Sequence, residues 1–305
     1  MNNKFPYYIP FHYRLFLKLR KAYRQTTVRL MERSARRNGP AGIVPDGEAF
    51  WPSGKENLLF NPENAINKAG FWFEQDLEKK QLQALAKQLE ELKEKFKTRK
   101  LYFANTAGTF LQGIADIDTE RRKVWENVWT IYHSGVKPEH RVLDIGGAST
   151  IFSFYLASIG CSVSVVDNDW GNCGTIYNAN YVAKQMDWDL KAYDRDAAQT
   201  LPFPDGHFGR VFSICTLEHL TSEARRSLMR EVGRVLKPDG IAALTIDYCH
   251  DRQMLISDKG LRFAYKRKLE EDVIAPSGLD IFGNEDLKDI SSEKNFLGAL
   301  FLKKP

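Results

Sequence analysis

From about Asp116 to Pro305 the chain alternates short apolar runs with helical periodicity, and this alternation restricts the fold more than any other feature. Arg141–Ile145, Ser162–Asp167, Leu190–Tyr193, Val211–Cys215 and Ile241–Tyr248 read as strands, with helical patterns between most of them. Leu279–Phe282 and Phe296–Leu302 follow as two more strands. Strands alternating with helices predict an α/β architecture, a largely parallel sheet with helices on both faces. Residues 116–305 are therefore expected to form one domain.

Two stretches precede it. Residues 1–37 carry ten Lys or Arg against one acid, Glu32, so about +9 of charge sits in this segment of a chain whose formal net charge is +5. The remainder is close to neutral, and the positive charge acts locally. Pro10 can open a helix. On it Phe11, Leu15, Leu19 and Ala22 share one face, with Arg14, Lys18, Lys21 and Arg24 on another. Residues 38–115 begin as a loop, marked by Gly39-Pro40, Pro45-Asp46-Gly47 and Pro52-Ser53-Gly54. About Ala65 to Arg99 reads as one long helix with Leu82, Leu85, Leu89 and Leu92 in its apolar set, packed on its own domain or paired with another helix.

No apolar run reaches the roughly 18–20 residues of a membrane span. The cysteines, Cys161, Cys173, Cys215 and Cys249, form no CxxC pair, which argues against a zinc knuckle and for a reducing, cytoplasmic compartment. No metal site is expected. The acids Asp167 and Asp169 at one turn are a poor octahedral set.

The chemistry concentrates at strand ends. Val142-Leu143-Asp144-Ile145-Gly146-Gly147-Ala148-Ser149-Thr150 is a strand ending in an acid, a turn of small residues and a helix start. Small residues let backbone approach a ligand closely. A dinucleotide fingerprint would need glycine at 148 and 151, where Ala148 and Ile151 stand. Val163-Ser164-Val165-Val166-Asp167 ends a second strand in an acid about twenty residues after Gly146, a spacing that suits ribose hydroxyls. Asp196-Ala197, Leu201-Pro202-Phe203-Pro204-Asp205-Gly206-His207-Phe208, Thr216-Leu217-Glu218-His219-Leu220 and Glu231-Val232-Gly233-Arg234-Val235-Leu236-Lys237-Pro238-Asp239-Gly240 follow in order.

This order of motifs, over about Arg141 to Tyr248, resembles the class I S-adenosylmethionine-dependent methyltransferases with the pattern LDIGCGTG … VDxS … DAxxLPFPDxSFD … LEHL … REIxRVLKPGG. The resemblance implies a Rossmann-like sheet of seven strands, mostly parallel with the last antiparallel, and a mainly helical N-terminal extension. It implies S-adenosyl-L-methionine as cofactor. Asp144, Gly146, Gly147 and Ala148 would line its methionine and ribose part. Asp167 would take the ribose hydroxyls with Asn168 beside the adenine, and Asp196 with Ala197 would read the adenine edge. Thr216 would lie under the sulfonium. The sequence departs from the pattern at Ala148 and Thr150 in the glycine run and at Gly209 after the LPFPD run. Thr150 would add bulk where the cofactor tail approaches.

Base candidates are His250 and Asp247 after the fifth strand and His219 after the fourth, with His219 favoured as a pocket-shaping residue. Trp125, Trp129 and Tyr132, on a helix with His133, could cover the cofactor or simply pack the core. His207 belongs to a turn. For the acceptor, one reading is O-methylation of a glycan-like or small molecule by an enzyme held at the inner face of the membrane through residues 1–37. A second is a soluble metabolite, with the N-terminal region as lid or homo-oligomer interface. A third is a non-catalytic binding subunit of the same fold. Nucleic acid is disfavoured by the near-neutral remainder of the chain.

Overall fold

The computed structural model describes residues 65–70, 73–101, 103, 117–168, 174–197, 199–249, 266–287 and 295–305. The basic segment 1–37 and His250 lie outside them.

Among the described residues nine strands build one sheet. In chain order they are β1 (Asn67–Gly70), β2 (Arg141–Ile145), β3 (Ser162–Asp167), β4 (Leu190–Asp194), β5 (Phe208–Ile214), β6 (Leu236–Cys249), β7 (Asp280–Ile281), β8 (Glu285–Asp286) and β9 (Asn295–Lys303). The sheet order is β4-β3-β2-β5-β6-β9-β1-β8, with β7 also beside β9. Strands β2 to β6 pair in parallel, and β9 runs antiparallel to β6, β1 and β7. Helices are α1 (Phe73–Leu77), α2 (Lys80–Thr98), α3 (Ile117–Ser134), α4 (Ile151–Ser158), α5 (Thr175–Met186) and α6 (Ser222–Val235). A π-helical stretch, Glu270–Ile274, lies between the short helices Lys266–Leu269 and Ala275–Ser277.

Alternate strand residues serve opposite faces. Val142, Val163, Val165, Phe212, Ala243 and Phe301 join one buried cluster. Leu143, Ile145, Val166, Val211, Leu244 and Leu300 join the other. The first cluster includes residues of α2, α3, α4 and α5, and the second residues of α6 and the π-helical stretch. Helix α4 is buried from Ile151 to Ala157. Such a helix, apolar all round, has no solvent face to offer. On its outer side Phe154 meets Phe96 of α2 at 5.2 Å between ring centroids, and Tyr155 Oη donates to Gln88 Oε1 at 2.6 Å.

The expected long helix from Ala65 to Arg99 is corrected. Its first part is β1, followed by the short α1, and the helix proper is Lys80–Thr98. Tertiary pairing wins over local propensity here. One flank of β9 is shared by two short pieces, β7 opposite Lys303 and Leu302 and β1 opposite Ala299 to Leu297. Asn67, wholly buried, bridges them: its Oδ1 accepts from Phe301 N at 2.6 Å and its Nδ2 donates to Phe282 O at 2.8 Å. An amide side chain thus supplies bonds that an uninterrupted strand would supply from its backbone. The apolar stripe of α2 packs on the domain through Leu82, Leu89, Leu92 and Phe96. Strand β6 is longer than expected because Leu236 already pairs with Phe208, while the ladder resumes at Ile241 and steps over Lys237 to Gly240.

A second buried polar cluster ties β1, α1 and α3 together. Asp76 accepts from Lys68 Nζ at 2.5 Å, Lys79 Nζ at 2.9 Å and Trp125 Nε1 at 3.0 Å. Lys68 Nζ also stands 3.9 Å from the centre of the Trp129 ring, a cation–π contact. Trp125 and Trp129 are core residues, 0% and 1% exposed, so the packing alternative holds for them, whereas Tyr132 is exposed. His133 lies against Trp129, and burial together with the charges of Lys68 and Lys79 pushes its pKa down to about 4. It stays neutral at physiological pH.

Candidate functional site

The C-terminal ends of β2, β3, β4 and β5 lie side by side, because these strands are neighbours running in parallel. In open α/β sheets ligands bind at this edge, near the point where strand order reverses. Here the order reverses between β2 and β5.

The loop from β2 to α4 is a tightly built turn. Gly146 has φ +79, and a β-carbon there would come within 2.2 Å of Thr216 Oγ1. At Gly147 a β-carbon would meet Asp144 Oδ2 at 1.9 Å. Glycine is required at both positions by space. Ser149 takes φ +65, and Asn178 of α5 donates through Nδ2 to its Oγ at 2.5 Å. Thr150 corrects an expectation. Its side chain does not crowd the turn but caps α4, accepting from Ser153 N at 3.3 Å and donating to Gly147 O at 2.9 Å.

Asp144 is wholly buried. Its Oδ2 accepts from Ser153 Oγ, while among the described residues its Oδ1 has no hydrogen-bond partner. Burial pushes this carboxyl up to about 7; the Ser153 bond works against the rise and the nearby Asp167 charge adds to it. A buried carboxylate oxygen with no donor is costly unless something completes it.

Asp167, at the end of β3, accepts from the Ala148 amide at 3.2 Å, which fixes its carboxylate against the same turn. Asn168 beside it is exposed. Asp196 and Ala197 follow β4; Asp196 is exposed and Ala197 packs on the second core cluster. Thr216, just past β5, donates through Oγ1 to Ile145 O at 3.2 Å and fills the space left by Gly146. The structure therefore brings Asp144, Gly146, Gly147, Ala148, Asp167 and Thr216 around one turn. Asp196 and Ala197 stand two strands away at the same edge.

Other motifs turn out to be braces. Arg234 donates to Phe203 O at 2.8 Å and Leu201 O at 3.1 Å and pairs with Asp205 at 2.7 Å, so it clamps the LPFPD loop. Glu231 accepts from Leu201 N at 2.8 Å on the same loop. In the short 3-10 turn Leu217–His219, Glu218 is buried and His219 is exposed. Arg225, 1% exposed, responds to both Glu218 and Asp272: burial lowers its pKa, and the two acids oppose that. Asp272, on the π-helical stretch, pairs with Arg225 at 3.1 Å, Arg226 at 2.7 Å and Lys268 at 3.3 Å. Asp247, expected after the fifth strand, lies within it: β6 continues to Cys249, and Asp247 pairs with Leu297 of β9.

Residues 143–244 match the family model of the methyltransferase domain. The chain carries a class I S-adenosylmethionine-dependent methyltransferase domain. Over 131 residues, 39% of this chain and 43% of the relative, it is 31% identical to the ubiquinone/menaquinone biosynthesis C-methyltransferase UbiE of Pasteurella multocida. It is 28% identical to an uncharacterised protein of Haemophilus influenzae over 58% of this chain and 68% of that one. The chain spans less than half the length of the first of these relatives. Geranyl diphosphate methyltransferase, solved in complex with SAM, shares the methyltransferase domain's fold at a TM-score of 0.50 and 12% identity, over 62% of this chain and 89% of that one.

Sequence reasoning missed three residues beside the candidate site. Ser153 is hidden because nothing in an apolar helix announces a carboxylate donor. Glu126 and Lys123 of α3, which meet Cys215 beside Thr216, are 89 residues or more from it in sequence, and only the fold joins them.

Proposed function

We propose that this chain transfers a methyl group from S-adenosyl-L-methionine to oxygen of a small-molecule or glycan-like acceptor. The observation that carries the cofactor part of the reading is Asp144 Oδ1, buried and without a hydrogen-bond partner among the described residues, beside two glycines where a side chain would not fit. A cationic, amine-bearing cofactor supplies what that oxygen lacks. When bound, it offers a methyl group already activated by a positive sulfur.

The chain's own part is binding and alignment. Asp144, Gly146, Gly147 and Ala148 hold the methionine and ribose portion. Asp167, oriented by the Ala148 amide, accepts from the ribose hydroxyls, with Asn168 beside the adenine. Asp196 and Ala197 read the adenine edge, and Thr216 forms the floor. The acceptor enters where β6 ends; Asp247 and His250 are the base candidates of that stretch of sequence, and His219 shapes the pocket.

Titration of S-adenosyl-L-methionine with Asp167→Ala as control tests the cofactor site. Mass and NMR analysis of products from a sugar screen identifies the methylated atom. Absence of binding by the wild-type chain would overturn the reading. A second reading, transfer to carbon, is favoured by the likeness to a curated C-methyltransferase. A methyl carbon bonded to carbon in the product would select it.

For residues 1–37 we propose an anchor at an anionic inner membrane surface in the cytoplasm. Among the described residues no helix is long and apolar enough to cross a membrane. Full-length protein should co-sediment with anionic vesicles in a salt-sensitive way and a chain lacking residues 1–37 should not; equal behaviour would remove the anchor, leaving a lid or homo-oligomer interface.

A further inference from the structure

One step from the cofactor turn, at the end of β5, stands a cluster of ionisable groups that the methyl-transfer reading leaves unused. Cys215 has φ +49, in the left-handed region that residues with a side chain adopt only when their surroundings enforce it. The enforcing bonds come from β6: the Cys215 amide donates to Thr245 O at 3.0 Å and to Thr245 Oγ1 at 3.2 Å. This conformation turns the partly exposed thiol toward α3, where Sγ donates to Glu126 Oε1 at 2.5 Å. Thr245 Oγ1 donates to the same oxygen at 3.4 Å. Glu126 is wholly buried, and its other oxygen pairs with Lys123 Nζ at 2.6 Å. The Lys123 side chain is 29% exposed, so it links the cluster to water. Burial works against its charge, but Glu126 and then Cys215 outweigh that and hold its pKa above the usual lysine range.

An ion pair alone accounts for Lys123 and Glu126. It does not account for a thiol held in a strained conformation at the strand end that also carries Thr216. We propose that Cys215 and Glu126, steadied by Lys123, form a proton relay on the acceptor side of the methyl-transfer site. The inference rests on the methyl-transfer reading and assigns the acceptor's proton to a group other than His250.

The step balances. The acceptor's O–H bond breaks and an S–H bond forms at Cys215, while the thiol's original proton moves to Glu126 Oε1. The electron pair left on the acceptor oxygen forms the new bond to the methyl carbon, and the pair of the broken bond stays on the donor sulfur. The positive charge that sulfur loses reappears on the cluster, as Lys123 beside a neutral Glu126. No oxidant or further reactant is needed.

The test uses the full chain and iodoacetamide, with each cysteine followed by peptide mass mapping from about pH 6 to about pH 10. Cys161 is the slow internal reference, since burial pushes its thiol up to about 12. Glu126→Gln removes a negative neighbour and should lower the Cys215 midpoint by about one pH unit; Lys123→Met removes a positive one and should raise it by about as much. Midpoints that coincide with wild type in both variants would overturn the relay. Should a variant not fold, wild-type protein still decides. Saturating S-adenosylhomocysteine should slow Cys215 alkylation about tenfold by closing access to the thiol. If calorimetry shows that it binds and the Cys215 rate does not change, the relay is off the site and is overturned, while methyl transfer stands. If it does not bind, both fall.

Discussion

Two buried carboxylates in this molecule are treated in opposite ways. Asp76, between β1, α1 and α3, is completed by Lys68, Lys79 and Trp125, and the cluster is finished without any ligand. Asp144, at the end of β2, has one protein donor, Ser153, and an oxygen with none among the described residues. Both are almost wholly removed from water. The difference separates a brace from a site: a brace satisfies its charge internally, and a site leaves part of that work to what it binds.

The largest effect that could break the comparison is at the brace. Asp76→Asn removes the carboxylate that the buried Lys68 pairs with at 2.5 Å, and removing one partner of a buried pair costs about 3–5 kcal/mol. Urea unfolding should show that loss, while affinity for S-adenosylhomocysteine stays at the wild-type value. An equal loss of affinity would mean that the two regions are not separable.

Next comes pH. The Asp144 carboxyl is raised to about 7 in the folded chain, above its value when unfolded. The folded state therefore binds the extra proton, and this contribution is fully present below about pH 4 and is lost as pH rises through about 7. Its upper bound is about 4 kcal/mol. Unfolding free energies of ligand-free protein should decline over this window in wild type and be flatter in Asp144→Asn. Parallel curves would show that Asp144 is not the group responsible.

The smallest effect is at the helix cap. Thr150→Ala removes the bonds to Ser153 N and Gly147 O and should cost about 1 kcal/mol in thermal or urea unfolding. Cofactor affinity should hardly change, because Thr150 serves α4. A large loss of affinity would place its side chain in the site after all.

The parallel half of the sheet was legible from sequence because its strands are short apolar runs, buried almost throughout in β2 and β5, and because an acid stands at or next to the end of β2 and β3, as at Asp144 and Asp167. The edge that carries the candidate site was legible for the same reason: the residues proposed for it sit at strand ends, where order in sequence becomes neighbourhood in space. What escaped depends on distant pairing. Asn67–Gly70 has no alternation of its own, and it is a strand only because β9 and β8 pair with it. The brace around Asp76 needs Trp125 from α3 and the cluster around Cys215 needs Glu126, partners far away in the chain, and no local pattern encodes such meetings. Thr150 looked like an intrusion into a glycine run, since a cap and a loop residue are the same letter until the helix start is known.

The most direct test of the central claim is titration of S-adenosylhomocysteine into wild type, Asp144→Asn and Asp76→Asn at about pH 6 and about pH 8. The account predicts wild-type binding that strengthens at the higher pH as Asp144 ionises. It predicts binding about 10–100-fold weaker and insensitive to pH in Asp144→Asn, and wild-type behaviour in folded Asp76→Asn. Equal affinity in wild type and Asp144→Asn at both pH values would contradict it.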